Sequence, residues 1–162
     1  HMSTQNPIKR VGQQIAEALI YKLGMPKSMA KERVIELMKR VGISEPEKRY
    51  RQFPHQFSGG MRQRIVIAIA LANNAEILIC DEPTTSLDVT IQGQILELIN
   101  ELKETRNLSV IFITHDLGVV ANVSDRIAVM NSGELIDLVN NDGSVDENDI
   151  GLMMTGVRRG DE

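Results

Sequence analysis

Four short stretches carry residue types suited to phosphate chemistry. The first is Ile77-Leu78-Ile79-Cys80-Asp81-Glu82, an apolar run closed by two carboxylates. On a buried strand this order sets a negative pair at the lip of a sheet. One carboxylate there can hold hydrated Mg²⁺ beside a nucleotide phosphate. The second can take a proton from an attacking water. The second stretch is Ser58-Gly59-Gly60. At the start of a helix its free N–H groups and the helix dipole form an anion site. Ser58 can cap that helix or bind phosphate itself, and two glycines let the backbone approach a ligand closely. His115 follows a second apolar run and is suited to hydrogen-bond a γ-phosphate and the Glu82 carboxylate. Asp88 precedes a helical pattern and is suited to cap it.

Taken singly, each stretch also has a structural reading, and singly that reading is the stronger one. Strand-end acids cap helices, a Ser-Gly-Gly tripeptide opens a helix after a loop, and a lone histidine is usually a structural hydrogen-bonder or an exposed group.

The elements that must position these residues are legible as periodicities. A helix is predicted from about Pro7 to Leu23, with Ile8, Val11, Ile15, Leu19 and Lys22 on one face and Gly24 as its stop. A second is predicted from about Ser28 to Val41, with Met29, Val34, Leu37, Met38 and Val41 as its apolar set and Gly42 as exit. Residues 44–57 are polar, with two prolines, and read as a short helix or loop. From Ser58 a helix runs to about Ala72. Positions 65–72 are all apolar, so it is buried on most sides. Ile77–Cys80 fits a fully buried parallel strand. A helix near Thr90–Thr105, with Ile91, Ile95, Leu98, Ile99 and Leu102 on one side, leads to a second buried strand, Val110–Thr114. A short helix after Asp116 leads to a hairpin, Arg126–Met130 and Glu134–Val139, turning at Asn131-Ser132-Gly133. A turn at Asn140–Gly143 and a short helix near Asp146–Met154 close the pattern. Strand, helix, strand in this order implies parallel strands with right-handed crossovers. Ligands in such sheets sit beyond the carboxyl ends of the strands, where Asp81, Glu82 and His115 stand.

Composition narrows the classes. The 162 residues suit one modest core. Apolar residues make up 42% and charged residues 25%, as in ordinary globular proteins. Aromatics are only 3% and the net charge is −4, which argues against nucleic-acid binding. The single cysteine excludes an internal disulfide and a multi-cysteine metal site. No apolar run approaches membrane-spanning length, no signal peptide opens the chain, and a cytoplasmic setting is expected. His1-Met2 reads as a tag remnant.

Together the stretches resemble the ATP-binding-cassette (ABC) family across about residues 6–139. Phe57-Ser58-Gly59-Gly60-Met61, continuing Arg62-Gln63-Arg64, is similar to its signature motif. Ile77–Glu82 resembles its Walker B strand, Ser86-Leu87-Asp88 its D-loop and Thr114-His115-Asp116 its switch histidine. The run Pro54–Arg64 and the run Asp81–Thr90 are similar to the versions in dipeptide, oligopeptide and nickel importers. No Gly-Lys pair occurs anywhere in the sequence, so a Walker A loop is lacking. The family's glutamine loop is lacking too, and Gln5 is in the wrong place to replace it. Leu152-Met153-Met154-Thr155-Gly156 departs from the usual peptide-importer tail and resembles sugar- or nucleoside-type importers.

The resemblance implies an α/β fold: a partial P-loop-NTPase-like ABC ATPase domain. Residues 3–72 would be the helical subdomain with the signature motif, 73–139 half of the mostly parallel core sheet, and 140–162 a terminal turn and helix. It implies ATP and Mg²⁺ as cofactors. Glu82 and His115 would be catalytic, Asp81 would hold the metal, and Ser58, Gly59, Gly60, Met61 and Asp88 would contact nucleotide or relay across a dimer. It implies a second ATPase subunit in a head-to-tail dimer, transmembrane permease subunits contacted by residues 7–57, and indirectly an extracytoplasmic solute-binding protein, at the cytoplasmic face of a membrane. The full-length subunit would hydrolyse ATP to power uptake. The chain by itself, as a carboxyl-terminal fragment, is expected to be inactive, with open sheet edges that favour self-association. The alternatives are an ABC-superfamily ATPase outside transport, in DNA repair or translation, and a catalytically dead structural subunit.

Overall fold

The computed structural model describes residues 5–157. The chain divides into two compact units, His1–Ile111 and Phe112–Glu162.

In the first unit the opening helix α1 spans Val11–Glu17 and continues as a π-helical turn over Ala18–Lys22. It starts later than the Pro7 expected from sequence. Gln14 holds the preceding segment in a turn, accepting from Asn6 N–H at 2.9 Å and donating to the Asn6 and Lys9 carbonyls at 3.0 and 2.9 Å. Val11, Ile15 and Leu19 are buried as expected, whereas Ile8 in that turn is 83% exposed. Helix α2, Lys27–Arg40, buries Ala30, Val34, Leu37 and Met38 and leaves Met29 exposed. Gly42 follows at φ +75°, a left-handed exit that favours glycine. A short helix α3, Pro46–Arg49, and a 3₁₀ turn, Pro54–Gln56, occupy the polar segment.

Helix α4, Gly59–Ala72, packs against α1 and α2. None of its residues 65–72 is fully exposed, and Ile65 and Ala68 are sealed completely. Strand β1, Ile77–Asp81, leads into helix α5, Val89–Arg106, which packs on α4 and buries Ile95, Leu98, Ile99 and Leu102. Strand β2, Ser109–Ile113, pairs with β1 in a two-stranded sheet. At its start the Ser109 N–H donates to the Glu76 carbonyl at 3.0 Å.

Full burial of these strands, expected from their unbroken apolar runs, is corrected by the structure. Leu78 and Cys80 are buried, but Ile77 and Ile79 are 57% and 64% exposed and Ile111 is 51% exposed. A strand reads as continuously apolar when both faces of its sheet are covered. Among the described residues only one face of β1 is.

The second unit is built on a hairpin. Strand β3, Arg126–Asn131, pairs antiparallel with β4, Glu134–Asn140, in a register that sets Ile127 opposite Val139. Ser132 and Gly133, both at positive φ, make the two-residue turn, whose backbone twist matches the strands. Helix α6, Leu117–Val123, precedes the hairpin and helix α7, Glu147–Met154, follows it. Ile127, Val129, Val139, Ile150 and Met153 form its core. Asn131 donates to the Met154 carbonyl at 2.7 Å, tying the hairpin turn to the end of α7.

Candidate functional site

The approach to Ser58 is locked before the helix begins. Phe57 is buried, and the Arg49 guanidinium lies 5.6 Å from its ring centroid. Such a contact stabilises both groups modestly. Arg62, one turn into α4, reaches back to donate to the Phe57 carbonyl at 3.2 Å. Ser58 is extended and its Oγ accepts from Met61 N–H at 3.4 Å, a long helix cap. Ser58 is exposed, Gly59 and Met61 are half-buried, and Gly60 is buried. No acidic residue sits in the first turn, so the partial positive charge of the helix end is not neutralised locally.

Gly60 is required by packing. A Cβ at Gly60 would run into Cγ2 of Ile91, in the first turn of α5. That turn is itself capped by Asp88, whose Oδ1 accepts from Ile91 N–H at 3.0 Å. The amino-terminal ends of α4 and α5 are therefore brought side by side, with Ser58, Gly59, Gly60 and Met61 on one and Asp88 on the other.

Asp81 is the last residue of β1 and is exposed. Glu82 follows with φ +43°, and Ser86 has φ +68°, so this loop carries two left-handed residues that are not glycine. Each costs about 1–2 kcal/mol, and such strain clusters at functional sites. The Thr85 hydroxyl donates to Glu82 Oε2 at 2.9 Å and fixes the direction of the carboxylate. Thr84 is buried, and its carbonyl accepts from Leu87 N–H at 3.1 Å, which tightens the loop into Asp88. His115, exposed and just past β2, belongs to the second unit. Asp116 beside it caps α6, accepting from Gly118 and Val119 N–H. Among the described residues, no cluster of three His, Cys, Asp or Glu side chains could hold a metal.

The family model for the ABC transporter matches residues 1–85. The chain belongs to the ABC transporter family. It is 58% identical over 146 residues to the oligopeptide transport ATP-binding protein OppD of Bacillus subtilis (strain 168), covering 90% of this chain and 40% of that protein. It is 55% identical over 137 residues to the dipeptide transport ATP-binding protein DppD of the same organism, covering 85% and 41%. The chain therefore spans about 40% of the length of these curated relatives. Among solved structures, a dimeric ATP-binding cassette in a post-hydrolysis state bound to ADP and Pi superposes with a TM-score of 0.76. It is 30% identical, and 88% of this chain and 61% of that one are covered. An inward-facing putative metal-chelate type ABC transporter superposes at 0.81 with 20% identity, covering 95% and 62%, which speaks to fold alone. The fold is that of part of an ABC ATPase cassette.

The sequence pointed to no role for Gln14 or for the bonding of Arg64 in this ABC chain, and Gln5 entered only as a residue out of place for a glutamine loop. Arg64 donates to the Val41 carbonyl at 2.8 Å and to Gln94 at 3.2 Å, joining α2, α4 and α5 behind the serine.

Proposed function

We propose that the chain acts within the ATP-hydrolysing subunit of a peptide importer, at the cytoplasmic face of a membrane. The carrying observation is the Gly60–Ile91 approach, which sets the serine-led start of α4 beside the Asp88-capped start of α5. The serine-led helix end, which carries no acidic residue in its first turn, suits a polyphosphate presented by a second, identical or related subunit. Ser58 and the N–H groups of Gly59, Gly60 and Met61 bind the γ-phosphate there. Asp88 carries the contact on to the partner subunit. Asp81 holds Mg²⁺ through water, and the cation supplies charge neutralisation at the phosphates. Glu82, oriented by Thr85, accepts the proton of the attacking water. His115, in the second unit, is by itself suited to hydrogen-bond a γ-phosphate. The likeness to oligopeptide and dipeptide transport ATP-binding proteins supports a peptide as the solute. It also supports permease subunits as partners of the helical segment 7–57, with an extracytoplasmic binding protein delivering the solute.

The test is Glu82→Gln in the complete subunit. Turnover should fall at least about a hundredfold, the scale of a lost general base, while nucleotide binding is kept. Turnover at the unmodified rate would remove Glu82 from the chemistry.

A further inference from the structure

A groove of about 230 Å³ opens between the end of α2, helix α4 and helix α5. None of the residues placed in the nucleotide chemistry lines it. Helices α2 and α4 supply Arg40 and Arg64, and α5 supplies Gln94, Glu97, Glu101 and the buried Leu98. The α5 residues recur at helical spacing and so share one face of that helix. One side of the groove is therefore basic and the other acidic.

The basic side is set in advance. Arg64 is half-buried, and its guanidinium donates to the Val41 carbonyl at 2.8 Å and to Gln94 Oε1 at 3.2 Å. Gly42 leaves it room, since an added Cβ there would lie 2.5 Å from Arg64 Nη1. Arg40, exposed in the last turn of α2, lies close to further positive charge. Burial holds the Arg106 guanidinium below its ordinary pKa, and the charges of Arg40 and Arg33 add to the effect. Glu36 opposes it, but Glu36 is already bonded to Arg33. Three guanidiniums thus share one carboxylate at this end.

The two sides do not neutralise each other directly. Among the described residues no ion pair joins Arg40 or Arg64 to Glu97 or Glu101. A simple anion in the groove meets the glutamates, and a simple cation meets the arginines. A ligand with one charge of each sign satisfies both sides. Arginine is the side chain best shaped for a carboxylate, and glutamates accept from an ammonium. Gln94 spends its oxygen on Arg64, which leaves Nε2 to donate to a carbonyl lying between the two charged ends. The volume is below the ~300–1,000 Å³ of pockets for drug-sized ligands, so the occupant is short.

We propose that this groove binds a short zwitterionic peptide, its carboxylate at Arg40 and Arg64 and its ammonium at Glu97 and Glu101. The choice of a peptide among zwitterions rests on the importer reading above, in which peptides arrive on this side of the membrane.

The experiment is calorimetric titration of the complete ATP-binding subunit with dialanine, N-acetyl-dialanine and dialanine amide. Dialanine should bind with Kd below about 1 mM. Removing either charge from the ligand should weaken binding about fivefold, the upper range for an exposed ion pair. Glu101→Gln should abolish the penalty for acetylation and keep the penalty for amidation, and Arg40→Gln should do the reverse. Both side chains are exposed, so neither change threatens the fold. No binding up to about 10 mM, or penalties that neither substitution moves, overturns the proposal. Free alanine binding as tightly as dialanine overturns the peptide assignment. A complete transporter that moves no peptide into vesicles, while dialanine still binds as described, sinks the importer reading alone. Peptide transport without binding at the groove sinks this inference alone.

Discussion

Helix α4 and strand β1 are written with the same kind of apolar run, but the chain surrounds one and leaves the other half open. Ile65 in α4 is sealed completely, while Ile79 in β1 is 64% exposed. Helix α4 finds its neighbours, α1, α2 and α5, within about the first hundred residues. A sheet strand with two apolar faces needs a layer on each. The difference teaches that an apolar run reports how much burial an element is built for, not how much one stretch of chain supplies.

The comparison is broken or sharpened most strongly by paired substitutions. Ile65→Ala should cost about 2–5 kcal/mol, the usual range for a large-to-small change in a sealed core. Ile79→Ala should stay within about 0.5 kcal/mol, as for a surface site. Denaturant melts of both variants read this directly, and equal losses would mean that the open face of β1 is covered in solution. Next comes the junction between the helical region and the α5 end of the strand region. Gly60→Ala drives a methyl into Ile91 and should cost about 1–3 kcal/mol. A neutral result would show that α5 yields without effort and that the two helix ends are not held in fixed register.

The last contrast separates the two faces of β1. Burial pushes the Cys80 thiol up to about 11. The folded state holds that proton more tightly than the unfolded chain does. The resulting stability is therefore fully present below about pH 9 and is lost as pH rises towards 11. The loss should be about 2 kcal/mol. Cys80→Ala should flatten that part of the stability–pH curve relative to the unsubstituted chain, as followed by urea titrations between about pH 8 and 11. An identical slope in both would place the thiol in contact with water.

Much of the helical architecture was legible because its cues are local. The apolar set of α2 and the long buried stretch of α4 follow from spacing, and Asp88 capping α5 follows from residue type. Two local cues were overridden. Pro7 looks like a helix start, but Gln14 fastens the flanking Asn6 and Lys9 backbone into a turn and α1 begins at Val11. Met29 looks like a core position, but Ala30 is the buried one. Gly60 was legible as a site of close backbone approach to a ligand, and its immediate neighbour is Ile91 of α5. Gln5 was legible only as out of place for a glutamine loop; its bond to α4 was not, since the partner carbonyl lies 57 residues away in sequence. No periodicity encodes a bond between a side chain and a distant backbone.

The sequence by itself determined the chemistry available: a serine-led helix start, two carboxylates closing an apolar strand, and a histidine after the next strand. It did so because capping, strand patterning and phosphate contact depend on residue type over a few neighbouring positions. Only the tertiary structure decided that the ends of α4 and α5 meet at Gly60, that Gln5 fastens a turn to the first of them, and that one face of β1 stays open. Those outcomes depend on which distant surfaces come within contact distance, a property of the packed chain and not of any single stretch.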